Sequence, residues 1–187
     1  MSRAWLAFVT AFWAALCWVG AAVAQVPTAP PTHPGTKLNF PQTLGGATLQ
    51  GSAVNGATFS YRYIAGKVQI TVQVFDSGRR VPAGSNSPVV TAEFSAEMAE
   101  AEQQARGAGM SGFEKPAVPG TCSYGAVSFR CTVYSASAGN GRVYGKFMLT
   151  GYRDSYLKII AEWTQADSAT LGDADRALAA FVPALLQ

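Results

Sequence analysis

Lys67-Val68-Gln69-Ile70-Thr71-Val72-Gln73-Val74-Phe75 decides the fold class. Val68, Ile70, Val72 and Val74 point one way, and Gln69, Thr71 and Gln73 the other. Successive strand side chains point to opposite faces, so strict period-two alternation marks a half-buried antiparallel sheet. Toward the N-terminus, Gly66 makes a turn and Ala57 to Ala65 alternates again. Phe59, Tyr61 and Tyr63 lie on one face of that strand, and Thr58, Ser60 and Arg62 on the other. Asn55-Gly56 is a hairpin signal, preceded by a first strand over Ala47 to Val54.

Toward the C-terminus, Asp76 to Asn86 is a loop. Ser87-Pro88 then resembles an N-cap followed by proline at the first helical position. Val90, Phe94, Met98, Ala101 and Ala105 follow at helical spacing, and the helix is predicted to end at Gly107. Gly109 to Gly120 is read as a second loop. Thr121 to Tyr134 is a hairpin marked by Gly125, and Arg142 to Thr150 with Ser155 to Thr164 form the last one. Asp167 or Ser168 is expected to cap a C-terminal helix carrying Leu171, Ala174, Leu178, Phe181 and Leu185 on one stripe. The expected order is βββαββββα. The class is α+β, an antiparallel β-sheet flanked by two amphipathic helices.

The N-terminus has a different composition. Met1-Ser2-Arg3 is a short positive region, Ala4 to Gly20 is apolar and uncharged, and Ala22-Val23-Ala24 is a small-residue cleavage site. This pattern predicts a secretory signal peptide over residues 1–24, with a retained membrane anchor as the competing reading. Residues 25–37, with Pro27, Pro30, Pro31 and Pro34, are expected to be an extended linker. Residues 38–187 form the single domain. The expected location is periplasmic or secreted, with no integral membrane span after cleavage.

With 187 residues, 49% hydrophobic and 13% charged, the chain is long enough for one well-packed domain. The same composition excludes collagen, coiled coil, disordered and polytopic membrane classes. Net charge is +3 with no run of like charges, so nucleic acid is not an indicated partner.

Three sets of residues carry a resemblance. They are Phe40-Pro41-Gln42-Thr43-Leu44-Gly45-Gly46; Val74-Phe75-Asp76 with Val81 to Val90 and Glu93-Phe94; and Leu149-Thr150-Gly151-Tyr152-Arg153 with Leu157-Lys158-Ile159. From Phe40 onward the chain resembles a family of exported bacterial proteins of unknown function. The element order is similar to the PsbP-like α+β sandwich. That likeness implies a non-catalytic binding or assembly protein and supplies no catalytic motif.

The chemistry available is limited. The single histidine, His33, falls in the expected linker, which removes imidazole-based triads and histidine-ligated metals from the domain. No nucleophile elbow, Walker loop or dinucleotide fingerprint occurs. No cofactor and no metal is expected. Cys122 and Cys131 are equidistant from a turn centred between Ala126 and Val127, so a structural disulfide across the hairpin is expected. A redox or metal site is the alternative, which eight intervening residues and the lack of a nearby histidine do not fit.

One constellation invites a functional reading. If Phe147, Leu149, Leu157, Ile159 and Trp163 all face the helices, the opposite sheet face carries Arg62, Arg130, Tyr134, Arg142, Tyr144, Lys146, Tyr156 and Lys158. Such a cationic, tyrosine-bearing face suits an anionic or sugar-bearing ligand, or an unknown envelope component, through charge-assisted hydrogen bonds and stacking. The bland reading is an ordinary solvated sheet face. A second segment, Gly151 to Tyr156, is read as a hairpin turn with a local Arg153–Asp154 pair. The expected function is therefore non-catalytic binding. A hydrolase with a loop-lined Ser, Lys or carboxylate site and a purely structural envelope component are the alternatives.

Overall fold

A computed structural model describes residues 28–76, 78, 80–139 and 141–187. The expected signal, Met1 to Ala24, lies outside the described residues. Four strands come first: β1 (Thr43–Leu44), β2 (Ala47–Asn55), β3 (Thr58–Ala65) and β4 (Val68–Phe75). Helix α1 (Pro88–Gly107) follows, then β5 (Ser111–Glu114), β6 (Gly120–Tyr124), β7 (Val127–Ala138), β8 (Gly141–Tyr152) and β9 (Ser155–Thr164). A 3-10 turn at Gln165–Asp167 leads into helix α2 (Leu171–Leu185).

The strands form one sheet in the order β1-β2-β3-β4-β9-β8-β7-β5, with β6 pairing with β7 beside β5. Two antiparallel meanders thus meet where β4 lies against β9, Val72 opposite Ile159. The α+β class holds, but the element order is ββββαβββββα rather than βββαββββα. The differences are the two-residue β1 and the four-residue β5. Each is too short to show alternation, and β5 falls inside the expected second loop.

The register assigns the faces. On one face lie Val68, Ile70, Val72 and Val74 of β4, with Leu157, Ile159, Ala161 and Trp163 of β9. Helix α2 covers this face with Ala174, Leu178, Phe181 and Leu185, all but Leu185 fully buried. Fully burying a Leu or Phe side chain contributes about 1.5–3 kcal/mol, so this stripe anchors the helix. Its N-cap is Thr170, in a reciprocal capping box with Asp173, rather than Asp167 or Ser168. Those two residues belong to the 3-10 turn before it, which Thr164 caps.

The opposite face is covered by α1. Val90, Phe94 and Met98 pack on Phe147, Leu149 and Tyr156, with Val81 from the preceding loop. Ser87 caps this helix by accepting a hydrogen bond from the Val90 N–H at 3.2 Å, and Pro88 sits in its first turn. The loop is strapped to the sheet by bridges pairing Val81 with Asp154 and Gly84 with Gly151. Gly151 is required at the second bridge, because a Cβ there would stand 1.8 Å from the Pro82 carbonyl oxygen.

From residue 28 the expected linker is part of the domain. Ala29 is buried, and Tyr61 and Tyr63 donate their hydroxyls to the carbonyls of Pro30 and Pro41 at 2.7 and 2.9 Å. Burial pushes both phenols up to about 12. His33 is therefore not outside the domain. It is buried, accepts the Thr36 N–H at 3.0 Å and packs edge-on against Phe59. Proline-rich composition suggests extension, but extended backbone with buried carbonyl partners is equally able to pack.

Candidate functional site

The eight sequence-predicted residues do not share a face. Tyr152 pairs with Ser155, so a two-residue turn joins β8 to β9, and odd-numbered residues of β8 share a face with even-numbered residues of β9. Phe147 and Leu149 consequently lie with Ile160 and Lys158, away from Leu157 and Ile159. The expected grouping fails for this reason. Arg62, Arg130, Tyr134, Tyr156 and Lys158 are on the α1 face, whereas Arg142, Tyr144 and Lys146 are on the α2 face.

The α1-face group is also not an open surface. Tyr156 is buried beside Phe75, with ring centroids 5.1 Å apart. Lys158 donates to Glu97 of α1 at 2.6 Å, and both side chains are mostly buried. Tyr134 donates its hydroxyl to Glu162 at 2.8 Å and stacks on Phe113. Burial, then the adjoining carboxylate, holds the Tyr134 phenol well above its usual range, and burial raises Glu162. The Arg130 guanidinium lies 5.9 Å from the centre of the Phe94 ring. Arg62 is half-buried opposite Thr71. Lys158 and Arg130 thus contact the covering helix through Glu97 and Phe94.

The three residues on the α2 face have a different setting. Beside Tyr144, between β7–β8 and the approach to α2, runs a groove of about 620 Å³. Its floor is the stacked pair Tyr144 and Trp163, with ring centroids 5.9 Å apart and planes 12° from parallel. Val133 and Leu171, two large apolar side chains with substantial exposure, line it as well. Lys115, Glu114 and Ser135 supply polar groups along the wall. Arg142 fixes that wall: its Nε donates to Ser135 Oγ at 3.1 Å, and its other end pairs with Glu114. Of the predicted residues, Tyr144 and Tyr134 line the groove, although the Tyr134 hydroxyl turns to Glu162 on the other face, and Arg142 braces the wall through Ser135 and Glu114.

Sequence reasoning missed Trp163, Lys115 and Leu171. Trp163 was expected only as core, and it is indeed nearly buried, but one side of it opens to the groove. Its pairing with Tyr144 follows from the same odd–even rule that divides the predicted face. Lys115 follows the unpredicted β5.

Lys146 lies farther along the α2 face. It donates to Asp175 of α2 at 2.7 Å and to the Tyr124 hydroxyl at 3.4 Å. Burial works to lower its pKa, but the Asp175 hydrogen bond and the neighbouring negative groups outweigh it and the pKa is raised. Cys122 and Cys131 are both thiols and lie nearby on this face. They are diagonal, not opposite: the hairpin turns at Gly125-Ala126, so Cys122 faces Phe129 and Cys131 faces Gly120. A two-residue turn of this kind needs positive φ at its first position, which Gly125 supplies at 62°.

At the β8–β9 turn the local pair between Arg153 and Asp154 does not form. Asp154 accepts from Arg80 at 2.8 Å, and Arg153 donates to the Thr36 carbonyl at 2.7 Å. Among the described residues no group of three His, Cys, Asp or Glu side chains is placed to hold a metal ion, and no helix is long and apolar enough to cross a membrane.

Comparison with protein-family models, with curated proteins and with solved structures gives no match for this chain.

Proposed function

We propose that this is an exported binding protein, acting without catalysis, whose ligand is an acidic sugar seated in the groove over Tyr144 and Trp163. The stacked aromatic floor carries the reading. A ring face offers an amphipathic surface that fits the apolar side of a sugar, and a few polar groups at the wall fix its orientation. Arg142 pairs with Glu114, the one carboxylate among the lining residues, so Lys115 sets the sign of the wall and favours a negative ligand. The likeness to PsbP-like proteins read from the sequence points the same way, toward binding or assembly, although the element order departs from the expected one at β1 and β5. Export rests on the charged, apolar and small-residue pattern of residues 1–24.

Trp163 is the only tryptophan after Trp18, so it reports on the groove once the first 24 residues are removed. Titrating such protein with a uronic-acid oligosaccharide is expected to change its emission saturably. A neutral oligosaccharide of the same length is expected to bind at least about tenfold more weakly, the equivalent of losing one charge-assisted contact. Equal binding of both, or no emission change with either, contradicts the proposal.

A further inference from the structure

Cys122 and Cys131 lie on adjacent antiparallel strands and on one sheet face, two residues out of direct register. Lys146 starts on β8 opposite Val133, on the far side of Cys131 from Cys122. Yet its ammonium reaches Tyr124, which pairs with Val127 at the other end of the hairpin. The ammonium stands near enough to act on both thiols, and Asp175 of α2 holds it at 2.7 Å. The lysine is mostly buried and β6 pairs only with β7, so Cys122 stands at a sheet edge, half-buried, while Cys131 is one strand further in and buried.

We propose that Cys122 and Cys131, beneath the Lys146–Asp175 ion pair, form a reversible dithiol–disulfide site that exchanges with a small anionic disulfide of the glutathione type. Three observations support this. The first is charge. A thiolate is the nucleophile in exchange, and a neighbouring ammonium stabilises it. Cys131 is held below the usual thiol range by the hydrogen bond from Cys122 and, against its burial, by Lys146. Cys122 is pushed up by the same bond and by burial, so the pair loses its first proton as a unit. The groups facing the thiols are Lys146 from β8, Asp175 from α2 and Tyr124 from β6; Lys146 favours the thiolate and Asp175 opposes it.

The second is register. Diagonal partners in an antiparallel pair have Cα atoms about 7–8 Å apart, beyond the usual disulfide span of about 4.4–6.8 Å. Closing the bridge shifts β6 along β7, which makes the disulfide easier to reduce than one between opposed residues. The third is access: Cys122 stands half-buried on an edge strand, where a small disulfide can reach it, and Lys146 favours an anionic one.

The thiolate of the pair attacks one sulfur of R–S–S–R, forming a mixed disulfide and releasing RS⁻. The second protein thiol gives its proton to RS⁻ and attacks the protein sulfur of the mixed disulfide, releasing a second RS⁻, which solvent protonates as the first protein proton is replaced. Two protein thiols become one disulfide, and R–S–S–R becomes two RSH.

The test uses the exported protein, without its first 24 residues, equilibrated in buffers of reduced and oxidised glutathione, with peptide mapping of both cysteines. Coexisting reduced and bridged protein at millimolar reduced glutathione is expected; a pair that remains wholly bridged is a structural disulfide and overturns the proposal. Rates of reaction of the reduced protein with oxidised glutathione at pH 7 then separate charge from packing. Lys146→Met is expected to slow the reaction about tenfold, Lys146→Arg to restore it, and Asp175→Asn to speed it. A purely structural ion pair moves Met and Asn variants in the same direction. That result, or unchanged rates in all three, overturns the proposal.

Discussion

Helices α1 and α2 cover opposite faces of one sheet and leave different chemistry beneath them. Under α1 the cover is tight. The strap at Val81 to Ser85 and the helix close over Phe147, Leu149 and Tyr156, and the ion pair Lys158–Glu97 is sealed within. Under α2 the cover has two parts, the helix and the chain from residue 28 to Phe40. The helix begins only at Leu171, leaving the groove over Tyr144 and Trp163 uncovered beside its first turn. A buried ion pair brings little net stability but costs a great deal when one partner is lost, so it locks a helix in place. An aromatic pair with one face open can accept a ligand. Lysine and tyrosine thus fasten the cover on both faces, through Lys158 on one and Lys146, Tyr61 and Tyr63 on the other, and Tyr144 with Lys115 opens onto the groove.

Breaking the tight face gives the largest expected effect. Lys158→Met leaves Glu97 buried without its partner and is expected to cost about 3–5 kcal/mol in chemical denaturation. The double variant Lys158→Met with Glu97→Leu is expected to recover most of it. A single-variant loss below about 1 kcal/mol contradicts a sealed pair. Next is Gly151→Ala, where the added methyl meets the Pro82 carbonyl and must displace the strap. The expected loss is about 3 kcal/mol, with faster proteolysis in the 76–88 loop as the local signature.

The smallest effect belongs to the other face. Burial lowers the His33 pKa, with Asp76 partly opposing and Lys37 assisting. A base whose folded pKa is depressed binds more protons when unfolded. Its neutral form therefore supports stability fully above the unfolded value near 6.5, and that support is lost as pH falls from there through the folded pKa. A modest fall in Tm below about pH 6.5, absent in His33→Gln, is expected.

How much of this was legible in the sequence differs between strands. β4 shows its faces plainly, alternating buried and half-buried over its whole length. β8 and β9 do not, because Phe147 to Gly151 and Ser155 to Ile159 are buried continuously. A strand covered on both sides has no polar face to set its phase. Hydrophobicity alone groups Phe147 and Leu149 with Leu157 and Ile159. Counting residues across the turn would have placed them oppositely, since any loop of even length joins odd positions to even ones. The N-cap of α1 is readable from Ser87-Pro88, whereas Asp167 and Ser168 compete in the sequence with the Thr170–Asp173 box that caps α2. The groove was not readable, because its wall depends on β5 and on where α2 starts.

The most direct test of the two-face account compares one variant from each face in the same binding titration. Tyr144→Ala removes half of the groove floor, and Lys158→Met with Glu97→Leu removes charge from the α1 face while keeping it filled. With a uronic-acid oligosaccharide followed by Trp163 emission, Tyr144→Ala is expected to weaken binding at least about tenfold, the equivalent of one stacking contact. The α1-face double variant is expected to bind as wild type. Loss of binding in the double variant with full binding by Tyr144→Ala would contradict the account.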